Sequence, residues 1–218
     1  MIDLHTHTLF SDGALLPAEL ARRAQALDYK ALAMTDHVDS SNLDFVLPRL
    51  ITVCADLQPE MSMTLIPGVE ITHVPPALIG RLAAKARDMG AKIVIVHGES
   101  VVEPVCPGTN QSALESDIDI LAHPGLISLA EAELAARNEV CLEITTRGGH
   151  SITNGHVARI ARESGAPLVL NNDAHDPGDL VTLNFAEKVA RGAGLTGAQW
   201  QVMREKSKEL VQRALADI

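Results

Sequence analysis

Seven short apolar runs punctuate this chain, at residues 2–4, 31–35, 64–69, 92–97, 118–122, 140–145 and 168–171. Helical patterns separate most of them, at residues 17–27, 43–57, 76–89, 129–137 and 151–164, and two more follow residue 180 with a break near 192–196. Strand and helix in alternation, with strands apolar throughout, predict a parallel sheet buried under helices. Seven units are enough to close, or nearly close, such a sheet into a barrel. The polar residues favour the barrel over a doubly wound sheet. They stand at or just past strand C-termini in nearly every unit, where barrel enzymes assemble their sites, rather than gathering at one crevice. No linker, repeat or low-complexity tract marks a boundary, so residues 1–218 are expected to form one domain.

Those polar residues share one chemistry. The chain opens on Asp3-Leu4-His5-Thr6-His7, and Ser11-Asp12-Gly13, Thr35-Asp36-His37, Gly68-Val69-Glu70, Val96-His97-Gly98, Ala122-His123-Pro124 and Asp173-Ala174-His175 follow. His5, His7, Asp12, His37, Glu70, His97, His123, Asp173 and His175 offer imidazoles and carboxylates but no thiolate, a set that suits Zn²⁺, Mn²⁺ or Fe²⁺. Catalytic zinc uses three protein ligands and an open position. Nine candidates therefore point to two or three divalent ions sharing ligands. Glu70 is the natural bridge, because a carboxylate has two oxygens.

Other residues have competing uses. Asp12 lies in a Ser-Asp-Gly turn, where Asp often bonds its own backbone. Asp36 could orient an imidazole through its outer nitrogen, while Asp3 could do the same or simply start a strand. His156 reads as a helix-surface residue, and His73 and His150 stay unassigned. Arg147 follows the strand at 140–145 and should stand on the rim with the metals. A guanidinium there could hold a phosphate or sit in a surface ion pair.

Composition narrows the partners. A net charge of −10 with only 2% aromatic residues gives neither long-range attraction to polynucleotides or anionic membranes nor platforms for stacking bases. No apolar run is long enough to span a membrane. With no leader ahead of His5, and with Cys54, Cys106 and Cys141 an odd set lacking zinc-like pairing, a cytoplasmic location is expected. Cys54 and Cys141 lie in apolar segments and should be core residues. Cys106 lies in a loop that could approach the site.

The ordered motifs resemble those of the PHP family, the polymerase and histidinol phosphatase domains, over nearly the whole chain. The resemblance implies a distorted seven-stranded (βα)7 barrel, TIM-barrel-like, with up to three metals at the C-terminal ends of the strands. It implies His5, His7, Glu70 and Asp173 around the first ion, Glu70, His97 and His123 around the second, and Asp12, His37 and His175 around the third. Phosphoester hydrolysis is its implied activity. The expected protein is thus a phosphatase acting on a small phosphomonoester, histidinol-phosphate-like or nucleotide-like, by attack of a metal-bridging hydroxide. Glu70, His123 and Asp173 would be essential, and Arg147 would bind phosphate. A phosphodiesterase or exonuclease on short nucleic acid is the enzyme alternative, and a non-catalytic metal-binding regulatory module the other. Specificity is expected in loops 104–114 and 147–154. Oligomeric state is not legible.

Overall fold

The computed structural model describes residues 1–216. In chain order the elements are β1 (Ile2–Asp3), α1 (Pro17–Ala26), β2 (Ala31–Met34), β3 (His37–Val38), α2 (Leu43–Leu57), β4 (Thr64–Ile71), α3 (Pro76–Asp88), β5 (Ile93–His97), α4 (Thr109–Leu114), β6 (Ile120–Ala122), α5 (Leu129–Arg137), β7 (Cys141–Thr145), α6 (Asn154–Ser164), β8 (Leu168–Asn171), α7 (Leu183–Gly192) and α8 (Gly197–Ala216). Every strand pairing is parallel, in the order β1-β2-β4-β5-β6-β7-β8, with β3 beside β4. Ala31 pairs with Thr64 and His37 with Glu70, so β2 and β3 keep one register along β4. They are one strand interrupted at Thr35 and Asp36. The result is a nearly closed seven-stranded parallel barrel.

Closure between β1 and β8 is mostly a side-chain affair. A single bridge pairs Thr6 with Ala174, and the His7 amide donates to the Ala174 carbonyl at 2.9 Å. The Leu4 amide donates to Asn171 Oδ1 at 2.8 Å, and the Asn172 amide to Asp3 Oδ1 at 3.1 Å. Asp3 is therefore a seam residue, which settles its competing uses.

Alternation along each strand decides what faces the barrel interior. Ala31, Ala33, Ile66, Ile93, Ile95, Ile120, Ala122, Cys141 and Val169 fill the interior with Leu4, while Leu210, Val211 and Ala214 of α8 join this cluster. The intervening Leu32, Met34, Val94, Val96, Leu121, Leu142 and Ile144 pack in the larger cluster under the helices. The same parity carries Glu70, His97, Glu143 and Asn171 inward, two or four residues past an interior core residue (Ile66, Ile95, Cys141 and Val169). With almost no aromatic residues, the core is built from many aliphatic side chains, and each Val, Leu or Ile among them contributes about 1.5–3 kcal/mol when fully buried. Arg213 of α8 also pairs with buried Asp119, which holds Arg87 Nη2 at 2.7 Å.

Two elements escape the pattern reading. Residues 104–114 were expected to be a loop, but their second half forms α4, a helix of six residues with the polar sequence Thr-Asn-Gln-Ser-Ala-Leu. The helix expected from residue 151 begins as a 3₁₀ turn, His150–Thr153, before α6. Among the described residues, no helix is long and apolar enough to cross a membrane.

Burial pushes the thiols of Cys54 and Cys141 up to about 12, whereas Cys106 is exposed. One thiol per chain should therefore react quickly with an aromatic disulfide reagent in the native protein, and all three after denaturation. Fast reaction of a second native thiol would contradict the packing described for these strands and helices.

Candidate metal centre

At the C-terminal rim the chain changes conformation to aim its polar groups. His123 and Asp173 follow β6 and β8 with φ of 26° and 52°, left-handed values that non-glycine residues rarely adopt. The strand ends carrying His97 and His123 meet closely, with the Gly98 amide 3.0 Å from the Ala122 carbonyl. A Cβ on Gly98 would strike that carbonyl and Pro124, so this approach requires glycine.

Glu70, fully buried, stands at the centre. Its Oε1 lies 3.3 Å from His5 Nε2 and 3.8 Å from His123 Nε2; its Oε2 lies 2.6 Å from His37 Nδ1 and 3.7 Å from His7 Nε2. Asp173 shares these neighbours, with His7 Nε2 at 3.3 Å, His123 Nε2 at 3.6 Å and His5 Nε2 at 3.7 Å. Asp12 does not close on its own backbone. It faces His175 Nε2 at 3.3 Å and His37 Nε2 at 3.5 Å, with His7 Nδ1 at 4.0 Å. His97 stands apart, with its Nε2 3.1 Å from Glu103 Oε2.

Do these donors fit a metal? Several outer nitrogens are already committed. His5 Nδ1 donates to Glu143 at 2.9 Å, His175 Nδ1 to the Asp173 carbonyl at 3.0 Å, and His97 Nδ1 to the Gly98 carbonyl at 3.0 Å. These partners only accept, so each Nε2 points a lone pair at a carboxylate oxygen unless a further proton is bound. Acceptor facing acceptor calls for a cation between them. Two ligand atoms each 2.0–2.1 Å from one ion lie roughly 2.9–3.4 Å apart at right to tetrahedral angles. His5–Glu70, His7–Asp173 and His175–Asp12 all have that spacing. The buried atoms His5 Nε2, His7 Nδ1 and Nε2, His123 Nδ1 and Glu70 Oε1 also lack any hydrogen-bond partner.

Electrostatics agree. Burial, with neighbouring imidazoles, holds His7 and His123 well below the usual histidine range, which favours the neutral imidazole that a metal would need. Burial opposes a charge on His5 and His37 as well, but the surrounding carboxylates outweigh it. Glu143, Glu70 and Asp173 hold His5 well above its ordinary value, and Glu70 and Asp12 raise His37 to about 10. Burial raises Asp173 to about 7, with Glu70 and Glu143 adding to the effect. The cluster carries more negative charge than it can hold without cations, and protons supply them when metal does not.

Two residues of this centre were not picked out from sequence. Glu143, in the middle of β7, holds His5 Nδ1, accepts from the His123 amide at 3.2 Å and from Asn171 Nδ2 at 2.8 Å. Glu103, in the loop after β5, faces His73, His97 and His150. A carboxylate inside the run Cys-Leu-Glu-Ile-Thr was the available signal for Glu143. Glu103 had none. Asp36 does not orient an imidazole but braces the turn before Asp12, accepting from the amides and hydroxyls of Thr8 and Ser11. His156 is not purely a surface residue, since its Nε2 lies 2.7 Å from the Ile127 carbonyl.

These groups open onto a cavity of about 400 Å³, walled by Asp12, His37, His97, His123, Asp173 and His175, with Ser41, Asn42, Thr72, Arg147 and His150 around its mouth. Arg147 is half-buried there. Its Nη1 donates to the Asp173 carbonyl at 3.2 Å and lies 3.3 Å from Asp179 Oδ2. Cys106 is not part of the wall.

Residues 3–139 match the PHP domain family. The chain is 49% identical over 214 residues to the uncharacterized protein MJ1295 of Methanocaldococcus jannaschii, covering 97% of this chain and 98% of the other. It is 27% identical to a protein of Shewanella pealeana named a probable phosphatase, over 88% of this chain and 84% of that one. The histidinol phosphate phosphatase of Lactococcus lactis, solved with zinc, L-histidinol and phosphate, superposes with a TM-score of 0.62. That match has 16% identity and covers 88% of this chain and 91% of that structure; it shows the fold.

Proposed function

The chain belongs to the PHP domain family, and from that premise we propose that it hydrolyses a small phosphomonoester in the strand-end cavity with two or three divalent ions. The observation carrying this reading is the convergence of imidazole nitrogens on Glu70, Asp173 and Asp12, beside and beneath a cavity of small-molecule size. His5, His7, Glu70, His123 and Asp173 would hold the inner ions, Asp12, His37 and His175 a second cluster beside them, and His97 the outermost. Zinc, manganese and iron all suit such a set. When bound, such ions make water nucleophilic near neutral pH and neutralise charge developing on the phosphoryl oxygens.

The rest falls to the protein. Glu70 turns one oxygen to His5 and the other to His7 and His37, so a single carboxylate can serve two ions. Glu143 fixes the His5 ring, and the Asp36 braces fix the turn of Asp12. Arg147, anchored by Asp173 and Asp179, supplies a positive charge at the mouth for a substrate phosphate. A cavity of about 400 Å³ suits a small molecule, and the net charge of −10 gives no long-range attraction to a polynucleotide strand.

The test is phosphate release by Mn²⁺-loaded protein from phosphomonoesters, including histidinol phosphate and nucleoside monophosphates, beside model diesters and chelator controls. Monoesters should turn over, and chelator should abolish the signal. Turnover of diesters alone would replace this reading with a nuclease-like one; turnover of neither by metal-loaded protein would favour a regulatory module.

A further inference from the structure

Arg147 and His175 reach the cavity from different loops, yet they share the same two acceptors. The Asp173 carbonyl accepts from Arg147 Nη1 at 3.2 Å and from His175 Nδ1 at 3.0 Å. Asp179 Oδ2 accepts from the amides of His175 and Asp176, each at 2.9 Å, and lies 3.3 Å from Arg147 Nη1. The 3₁₀ turn Pro177–Asp179 brings this carboxylate back onto the loop that carries His175. The base of the arginine is held too, since its amide donates to Thr145 Oγ1 at 3.2 Å. A guanidinium is a rigid plane of five donors with no acceptor. The two acceptors take the two N–H groups of Nη1, so the plane is fixed. What remains is Nε–H beside one N–H of Nη2, a parallel pair of the kind that grips a phosphate through two oxygens. Among the described residues no acceptor bonds to that edge, and Asp173 Oδ2 stands 3.6 Å from Nε.

We propose that Asp179 is a positioning residue for the substrate: through one oxygen it fastens the Arg147 guanidinium to the His175 loop, so that the Nε–Nη2 edge stays free for a phosphate. The inference rests on the reading that this cavity takes a phosphomonoester, and deepens it by saying how the anion is oriented. Asp179 does not repel that anion, because its Oδ2 is shared among three donors and faces Nη1 rather than the free edge. It also offsets a competing pull. Without Asp179 the guanidinium would keep one carboxylate neighbour, Asp173, which would draw in Nε and cover the edge. A tethered arginine further loses less side-chain freedom when the phosphate arrives. The loops after β7 and β8 thus act as one wall. The oxygen that holds the backbone of His175, whose Nε2 lies 3.3 Å from Asp12, also holds the guanidinium next to it.

The experiment compares wild type with Asp179→Asn and Asp179→Ala as Mn²⁺-saturated full chains, in phosphomonoester turnover and in calorimetric binding of inorganic phosphate. Asn keeps an oxygen for the two amides but lacks the charge that holds a guanidinium; Ala lacks both. Asp179 is only half-buried, so both variants should fold, with circular dichroism as the check. Asp179→Ala should raise KM and the phosphate dissociation constant about tenfold or more, and Asp179→Asn about threefold. The effect on kcat should be smaller, because substrate and transition state both carry the phosphate. In an Arg147→Ala background, Asp179→Asn should add no further loss, since the group it positions is gone. A purely structural Asp179 would give the same added loss in both backgrounds. That result, or phosphate affinity within about twofold of wild type in Asp179→Ala, would overturn the proposal. A wild type that binds phosphate but turns over no monoester would remove the hydrolase reading, while weaker phosphate binding in the variants would still uphold the clamp. A wild type that binds no phosphate would overturn both.

Discussion

Replacing Glu70 with Gln should lower phosphomonoester turnover by at least about a thousandfold, equivalent to roughly 4 kcal/mol of transition-state stabilisation. Four rings face this carboxylate from both of its oxygens: His5 and His123 point a nitrogen at Oε1, and His37 and His7 at Oε2. A neutral amide can present one oxygen but not two anionic ones, so it cannot serve two ions or offset their charge. The amide has the same size as the carboxylate it replaces, so the barrel should fold. Circular dichroism and thermal melting should stay close to wild type while phosphate release collapses and at least one bound ion is lost. A variant retaining more than about a tenth of wild-type turnover would contradict the catalytic role given to metal ions at this carboxylate.

Glu143→Ala should be the most damaging change away from the ions themselves. The side chain is fully buried and satisfies three donors: His5 Nδ1, the His123 amide and Asn171 Nδ2. Each buried donor left unpaired costs about 1–3 kcal/mol, so a loss of roughly 3 kcal/mol or more is expected in urea unfolding. The same change frees the His5 ring to rotate, which should weaken metal binding by about 10–100-fold. Both effects have one cause and should appear together. An unchanged unfolding midpoint with unchanged Zn²⁺ affinity would show that Glu143 is a bystander.

How far the sequence could be read follows from physics at particular residues. The strands were legible because runs such as Ile93–His97 are apolar on both faces, and few other elements need that. The His and Glu residues at their ends stood out because such side chains have no packing reason to sit there. Glu143 was hidden for the opposite reason: it lies inside a strand, where an apolar run draws attention from its one charged member. Only the parity that puts Cys141 in the barrel interior reveals that residue 143 faces the same way. The helix α4 was invisible because its apolar content is too low for a periodicity, and tertiary packing stabilises so short a helix. The meeting of Glu103 with His73 and His150 joins three separate loops, and no local pattern reports that. The interrupted second strand, with β3 beside β4, was missed because a two-residue strand has no period of its own.

The barrel seam sets the order in which the centre can come into being. β1 finds its first neighbour early, when Ala31 and Leu32 arrive beside Ile2 and Asp3. Its other edge waits for Asn171, Asn172 and Ala174, more than 160 residues later in the chain. His5 and His7 are therefore made well before Asp173, the carboxylate they meet across the seam. At the ribosomal pace of roughly 5–20 residues per second, that is an interval of about ten to thirty seconds. Throughout it, a nascent chain holds at most fragments of the site. A chain arrested before the last strand thus carries His5 and His7 without the Asp173 carboxylate that faces them and without the closing seam.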